Sequence, residues 1–264
     1  MVASVKMRRA QQAVLASRPY SDKIASLLAN LAAMPLADHE EPHPLLERRE
    51  PSRITLVHVT PDRGLCGALP GNLNRRGGAF ILESQPVGPV SVVAVGRKGR
   101  DYMVRRANVM RAAFVGLGDR PRLADTTPIA RLVMDDFIAG ETDAVYVVFA
   151  QFVSTANQRP EVRRLLPVEP APLSPFEAAG YIYEPSPGEA LEALLPRYVE
   201  AQLYQAIREG IASEESARMV AMRNATDNAE DLIRDLTLVA NKVRQASITA
   251  ELLDIISGAM GLRD

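Results

Sequence analysis

Apolar residues recur at alternating spacings of three and four over the last quarter of the chain. Between Ile211 and Ser257 there is no glycine or proline. The pattern predicts one uninterrupted helix of 47 residues, about 70 Å long at a rise of about 1.5 Å per residue. Eleven of twelve repeat positions are apolar, which is typical of a coiled coil. We call these positions the C-terminal seam: Met222, Ala225, Ala229, Leu232, Leu236, Val239, Val243, Ala246, Ala250, Leu253, Ser257 and Met260.

The N-terminus carries a similar pattern. Pro19 lies inside it and costs a helix one backbone hydrogen bond, but the apolar phase is the same on both sides, so we predict a helix through it. Pairing of the two seams is the favoured arrangement. Packing of each seam on its own domain, and homodimerisation, are the alternatives. The N-terminal seam is Ala3, Met7, Ala10, Val14, Ser17, Ser21, Ile24, Leu28 and Leu31.

The pattern changes between the two ends. Short β-rich apolar runs at 53–60, 90–96 and 143–153 alternate with helical candidates near 71–84, 97–106 and 122–139. This alternation predicts an α/β domain with a mostly parallel sheet. We expect three parts: an N-terminal helix over 1–36, a central α/β domain over 52–185 and a C-terminal helix over 186–264.

The start of the last helix is marked by its capping residues. Ser186 can cap the helix, Pro187 suits its first position and Glu189 completes a capping box. Pro196 and Gly210 then predict a bend or a weak point before the uninterrupted stretch.

Composition adds little about partners. The chain has 264 residues, and its 31 basic and 32 acidic residues nearly cancel, which gives no argument for a nucleic-acid partner. No run of 18 apolar residues occurs. The one cysteine, Cys66, excludes an internal disulfide and suits a reducing compartment. From these features we expect a soluble cytoplasmic protein.

Two short stretches suggest chemistry at first sight. "HEEPH" at 39–43 fits a zinc motif, but that motif works on a helix and Pro42 lies between the two histidines. "PDRGLCGALPGNLNRR" at 61–76 follows a strand, but its glycines fit neither phosphate-loop spacing, so a tight turn is favoured. Cys66 would need a base, and the nearby His58 falls inside a predicted strand. We therefore expect no cofactor, no metal and a mechanical or scaffolding role.

Several longer stretches resemble one family. "SARMVAMRNATDNAEDLI" and "RQASITAELLDIISGA" near the C-terminus, and "MVASVKMRRAQ" with "ASRPY" near the N-terminus, resemble the gamma subunit of F-type (H+-transporting) ATP synthases. "DRGLCGAL", "VGRKGRD", "TPIARLVMDDF", "FVSTANQRP" and "YIYEPSP" match the central domain of that family in the same order. The resemblance extends over nearly the whole chain.

The resemblance implies an antiparallel coiled coil of the terminal helices and a Rossmann-like central foot. It implies a non-catalytic rotor inside a ring of alpha and beta subunits, standing with the epsilon subunit on the membrane c-ring. The rotor would bind no nucleotide and would be peripheral to the cytoplasmic face of the plasma membrane. The single cysteine argues against the paired-thiol redox switch of chloroplast members. Family members carry additional helix before the segment matching "MVASVKMRRA", so we expect the upper C-terminal seam either to pair with such a stretch or to depend on the ring alone.

The resemblance also assigns contact residues. Five apolar residues near the end of the last helix, Leu253 of the seam among them, extend its apolar surface beyond the seam. Because a helix that is apolar on several faces is normally buried, we expect them to bear against the ring. Basic and polar residues match contacts to beta, and a third group matches the foot surface at the c-ring. The expected beta contacts are Lys6, Arg8, Arg9, Arg244, Gln245 and Thr249, the apolar bearing is Ile248, Leu252, Leu253, Ile255 and Ile256, and the c-ring contacts are Tyr181, Tyr183 and Glu184.

Two other functions remain as alternatives. One is a coiled-coil scaffold that homodimerises through the C-terminal seam, and the other is a small α/β enzyme with a nucleotide at the foot. The oligomeric state of the isolated chain separates a rotor from a homodimer, and nucleotide binding by the isolated chain would favour the enzyme.

Overall fold

The computed structural model describes residues 2–32, 43–106, 109–170, 183–184 and 186–261. The chain divides into two compact units, residues 1–220 and residues 221–264. The first unit contains a five-stranded sheet. In chain order the elements are α1 (Val2–Ala32), a short 3-10 helix (Pro44–Leu46), β1 (Ile54–Val59), α2 (Leu69–Ser84), β2 (Val90–Val95), α3 (Arg97–Met103), β3 (Val109–Phe114), α4 (Leu123–Ile138), β4 (Ala144–Phe152), β5 (Gln158–Leu166) and α5 (Pro187–Gly261).

The sheet has the strand order β3-β2-β1-β4-β5. Strands β1 to β4 are parallel, and β5 pairs antiparallel with β4 at one edge. Every residue of β1 is buried, which is why four of the six residues of this central strand are apolar. The predicted α/β class, with its mostly parallel sheet, is confirmed, as are the three predicted strands and the three predicted helices between them.

The two edge strands, β3 and β5, were not predicted. In β3, exposed and half-buried residues alternate, and Arg111 and two alanines dilute the apolar signal. In β5, three arginines, Glu161 and Pro160 make the sequence polar. Proline and charge are tolerated in both places because an edge strand pairs on one side only and has a solvated face.

Helix α1 runs through Pro19 without interruption, as the apolar phase predicted. The N-terminal seam forms its buried face, since five of the seam positions are at most 8 % exposed: Val14, Ser21, Ile24, Leu28 and Leu31.

The partner of α1 is the N-terminal half of α5. The Oγ of Ser17 donates to Oε1 of Gln205 at 2.6 Å, and Val14 clusters with Ala212 and Phe152. Val14 therefore meets Ala212, whereas the later residue Ser17 meets the earlier residue Gln205, so the two helices are antiparallel. The prediction that the two terminal helices pair is therefore confirmed. The prediction that α1 pairs with the C-terminal seam was wrong, because α1 packs against an earlier segment of α5.

The C-terminal seam itself is exposed at each position from Ala225 to Ser257. The segment of α5 that packs against α1 precedes the C-terminal seam, because the apolar spacing of α5 begins before that seam. Buried residues recur every three or four positions there, and α5 continues as one helix through Pro196 and Gly210, where a weak point had been predicted. These buried positions are Leu191, Leu195, Val199, Leu203, Ala206 and Ile207.

Helix α5 packs against the carboxyl ends of β1 and β4. In a sheet of this order the chain reverses direction between β1 and β4, and open α/β sheets usually bind ligands there. Gly210 lies so close that a Cβ on it would be 3.4 Å from Cγ1 of Val59. The Oγ of Ser213 donates to the carbonyl of Ala150 at 3.0 Å, and the amide of Phe152 donates to Glu209 at 3.4 Å.

Asp143 ties the entry of β4 to the entry of β1. Its side chain is 6 % exposed, and Oδ2 accepts hydrogen bonds from the amide of Ser52 at 2.9 Å, the hydroxyl of Ser52 at 2.7 Å and the amide of Arg53 at 2.8 Å. Burial alone would raise the pKa of Asp143, but these hydrogen bonds outweigh burial and hold the pKa below its usual value.

We predict that Asp143→Asn lowers the free energy of unfolding by about 1–3 kcal/mol at pH 7, because an amide cannot accept all three hydrogen bonds. A carboxyl group with a depressed folded-state pKa stabilises the fold above its unfolded pKa of about 3.9 and loses that effect as pH falls through the folded-state value. Urea titrations at several pH values should therefore show the difference from wild type shrinking below about pH 4. Asp135→Asn, at an exposed position of α4, is the control and should be neutral.

Candidate functional site

The apolar bearing lies on the second unit and is exposed throughout. Ile248, Leu252, Leu253, Ile255 and Ile256 are between 50 % and 67 % exposed. Large aliphatic side chains grouped within nine positions of one helix form a patch of the kind that marks an interaction surface. No described helix is both long and apolar enough to cross a membrane.

The polar residues expected to contact beta lie next to the apolar bearing. Arg244, Gln245 and Thr249 are exposed, and the Oγ1 of Thr249 donates to the carbonyl of Gln245 at 2.8 Å. Within the described part of the chain, Arg244 has no ion-pair partner. Its charge is therefore available to a partner.

The basic residues of α1 differ in whether their charge is already paired within the chain. The ammonium group of Lys6 lies 2.5 Å from Oδ2 of Asp119 in the loop before α4. The hydrogen bond from Lys6 is the main reason why the pKa of Asp119 lies below its usual value. Arg8 and Arg9 are exposed and pair with no acidic residue that the structure describes. The cations free to meet an acidic partner are therefore Arg8 and Arg9 more than Lys6.

The third group of predicted contacts is only partly described. Tyr181 lies outside the described residues. Tyr183 is half-buried and packs against the main core cluster, and Glu184 is exposed. Of the two described residues, Glu184 has the side chain more available to another protein.

A partly buried ionic cluster on α5 was not predicted from the sequence. Arg218 pairs with both Glu214 and Glu215, and its Nη2 also donates to the carbonyl of Gly64 at 3.5 Å. Burial raises the pKa of Glu214 despite this pairing. The spacing of three and four residues in "EESAR" is the standard spacing of helical ion pairs, so the sequence contained the signal.

The loop that resembled a phosphate loop is a braced turn. Gly67 has a φ of +59°, as a tight turn requires, and Leu65 has a φ of +64°. The carboxylate of Asp62 accepts from the amide of Arg97 at 2.9 Å and from the amide of Gly116 at 2.8 Å. The chain therefore uses its own carboxylate to satisfy the first amide of α3.

His58 and Cys66 are both buried and are not paired with each other. Nε2 of His58 lies 3.0 Å from Oδ1 of Asn74, and burial lowers the pKa of His58 to about 4. Burial is also the main reason why the pKa of the Cys66 thiol is raised. A thiol that stays protonated is a poor nucleophile, so neither residue is poised for chemistry.

Only part of the "HEEPH" motif is described. His43 accepts a hydrogen bond at Nδ1 from the amide of Leu45 at 3.1 Å and so caps the short 3-10 helix. The rest of the motif, including His39, lies outside the described residues.

Comparison with known proteins identifies similar chains. A family model described as ATP synthase matches residues 1–262. The ATP synthase gamma chain of Dehalococcoides mccartyi (strain CBDB1) is 56 % identical over 262 residues, which cover 99 % of this chain and 91 % of the relative. The ATP synthase gamma chain of Roseiflexus castenholzii is 51 % identical over 267 residues, which cover 100 % of this chain and 91 % of the relative.

Two solved structures share the fold. A chain from the central stalk and c-ring of Tetrahymena thermophila mitochondrial ATP synthase has a TM-score of 0.63 and 20 % identity, covering 86 % of this chain and 96 % of that one. A chain from Euglena gracilis mitochondrial ATP synthase (OSCP, F1 and c-ring, rotational state 3) has a TM-score of 0.58 and 20 % identity, covering 98 % and 95 %. At this identity the likeness is one of fold.

We predict that His58 makes the fold sensitive to acid. An unfolded histidine binds a proton below about pH 6.5, whereas folded His58 does so only below about pH 4. Above pH 6.5 His58 is neutral in both states and does not reduce the free energy of unfolding. As pH falls from 6.5 towards 4, only the unfolded state gains the proton, so the free energy of unfolding decreases. Between pH 7 and pH 5 the unfolding free energy of wild type should fall by about 2 kcal/mol more than that of His58→Asn. Equal losses in urea titrations at the two pH values would contradict this assignment.

Proposed function

We propose that this chain, which belongs to the ATP synthase gamma-chain family, is the rotor subunit of the central stalk and couples proton-driven rotation of the c-ring to conformational cycling of the alpha–beta ring. It carries no catalytic residues of its own. It works as part of a membrane-bound rotary complex, peripheral to the cytoplasmic face of the plasma membrane.

The observation that carries the proposal is the exposed apolar surface of residues 248–256. Covering the remaining exposed half of the five side chains in the apolar bearing would contribute about 1 kcal/mol each, or about 5 kcal/mol together. This energy holds the shaft in the ring. The roughly 5.5 kcal/mol needed to move a binding site from 1:99 to 99:1 between two conformations must come from contacts that differ between the beta subunits. Apolar contacts of this size have no fixed direction, so they allow a shaft to turn inside a collar.

Directional contacts supply the asymmetry. One shaft inside a ring of three alpha and three beta subunits touches each beta subunit differently, which biases each site towards another conformation. Arg244, Gln245 and Thr249 would contact a loop of beta, while Arg8 and Arg9 would face its acidic lever loop. Charge pairing at an exposed surface gives orientation and association rate more than affinity.

The foot would stand on the membrane sector. Tyr181, Tyr183 and Glu184 are proposed to meet the loops of the c-ring, and epsilon would bind the same end of the subunit. In this division of labour residues 1–36 and 186–264 form the shaft, and residues 52–185 form the foot.

A homodimeric scaffold remains the second candidate, because the C-terminal seam is also exposed. Such a seam buries its apolar positions against a copy of itself if no other partner is present. The stoichiometry of the chain in its complex separates the two functions.

Reconstitution with cognate alpha and beta subunits tests the proposal. Native mass spectrometry should find one copy of this chain per three alpha and three beta subunits, and the complex should hydrolyse ATP continuously. Two copies per complex would favour the scaffold. If no complex forms, the experiment should be repeated with a natural relative such as the Dehalococcoides mccartyi chain, and assembly of the relative alone would count against the rotor proposal for this chain.

We predict that Ile255→Asp combined with Ile256→Asp weakens binding to the alpha–beta ring at least about tenfold, because two apolar contacts are lost and two charges must be desolvated. The thermal unfolding midpoint of the isolated chain should not change, because both side chains are exposed. Asn228→Asp combined with Asn241→Asp adds the same charge at exposed polar positions of the same helix and is the control. Equal binding by the two double variants would show that the apolar bearing does not bind the ring.

A further inference from the structure

A basic cleft lies in the first unit between α1, the loop before α4 and α5. Its volume is about 180 Å³, and side chains from all three segments line it. The charged groups in its walls are Lys6, Arg9, Arg120, Arg208, Asp119 and Glu215.

The positive charges in the cleft exceed the negative ones. Lys6 is paired with Asp119, and Glu215 is paired with Arg218. Arg9, Arg120 and Arg208 have no carboxylate partner among the described residues. Three guanidinium groups around one concave surface form an environment that favours an oxyanion, since each can donate two parallel hydrogen bonds.

Arg208 is held in place without being neutralised. It is half-buried, and its Nη1 donates to the carbonyl of Pro121 at 3.4 Å and to the hydroxyl of Tyr204 at 3.2 Å. The guanidinium also lies 5.5 Å from the centre of the Tyr204 ring. All these partners are neutral, so Arg208 keeps its charge and its other N–H donors in a fixed place, which lowers the entropic cost of binding.

Glu215 adds an acceptor to these donors. The residue is 2 % exposed, and Oε1 is engaged by Arg218. Its other carboxylate oxygen, Oε2, is buried and has no hydrogen-bond partner among the described residues. A buried acceptor without a donor is costly, and a ligand with an O–H group would relieve that cost.

We propose that this cleft binds monohydrogen phosphate. The guanidinium groups of Arg9, Arg120 and Arg208 would bind the phosphate oxygens, and Glu215 would accept the P–OH proton. Phosphate keeps a proton at neutral pH, whereas sulfate keeps none, so the unpaired carboxylate oxygen selects phosphate over sulfate. The site goes beyond the proposed rotor function. It shares Arg9 with the proposed contact to beta, but phosphate binding by the isolated chain needs no contact with the ring or the membrane.

Calorimetric titration of the isolated full-length chain tests the proposal. Sodium phosphate should bind saturably with a Kd of about 1 mM or tighter, and sodium sulfate at the same ionic strength should bind at least about tenfold more weakly. Equal binding of the two anions would overturn the proposal, as would the absence of saturable phosphate binding. Neither outcome bears on assembly with alpha and beta, so a failure here is distinguishable from a failure of the rotor proposal.

Three variants locate the binding site. Arg120→Ala should weaken phosphate binding about tenfold, because one charge-assisted pair is lost. Arg131→Ala removes an exposed arginine on α4 outside the cleft and should leave binding unchanged. Glu215→Gln should bind sulfate and phosphate alike, because an amide can donate to a fully deprotonated anion. Arg120 lies in an exposed loop, so its variant keeps the test decisive even if Glu215→Gln fails to fold. Unchanged phosphate binding in Arg120→Ala would refute the site.

Discussion

A row of buried hydrogen bonds joins α1, α5 and β4. Ser17 donates to Gln205 at 2.6 Å, Nε2 of Gln205 donates to Glu209 at 3.1 Å, and Glu209 accepts from the amide of Phe152 at 3.4 Å. Gln205 and Glu209 are at most 6 % exposed. Because buried polar groups are costly when they lose their partners, sliding α1 along α5 by one turn would break the row and leave these groups unpaired. Apolar packing alone would tolerate such a slip more easily.

Helix α5 also occupies the edge of the sheet where open α/β domains usually bind their ligands. In related sheet topologies the carboxyl ends of the central strands hold a ligand, but here α5 packs against those ends, with Gly210 against Val59 and Ser213 bonded to Ala150. The domain therefore holds a helix at the place where open α/β sheets usually bind a ligand. A force applied to the sheet would therefore reach the helix through buried contacts.

Sequence patterns revealed the parts of this arrangement whose signal is local. Strands β1, β2 and β4 are largely buried on both faces and appear as apolar runs. The edge strand β5 appears polar, and in the edge strand β3 an arginine and two alanines weaken the apolar signal. The face of α1 was predictable from its spacing, but its partner segment was not, because several stretches of α5 carry the same spacing. The pair of Lys6 and Asp119 spans 113 positions and depends on tertiary structure alone. The residues of the apolar bearing were readable as apolar, and their exposure in the isolated chain is the reason to look for other subunits.

A rotor subunit turns inside its ring, and this rotation can be observed directly. Cys66 is buried, so a Cys66→Ser background with Gln85→Cys, an exposed position after α2, gives one accessible thiol for a visible probe. The labelled chain would be assembled with cognate alpha and beta subunits fixed to a surface, and the probe followed during ATP hydrolysis. For a rotor we predict rotation in one direction with three pauses per turn, one for each beta subunit. A probe that stays still, or turns without direction while the complex hydrolyses ATP, would contradict this prediction.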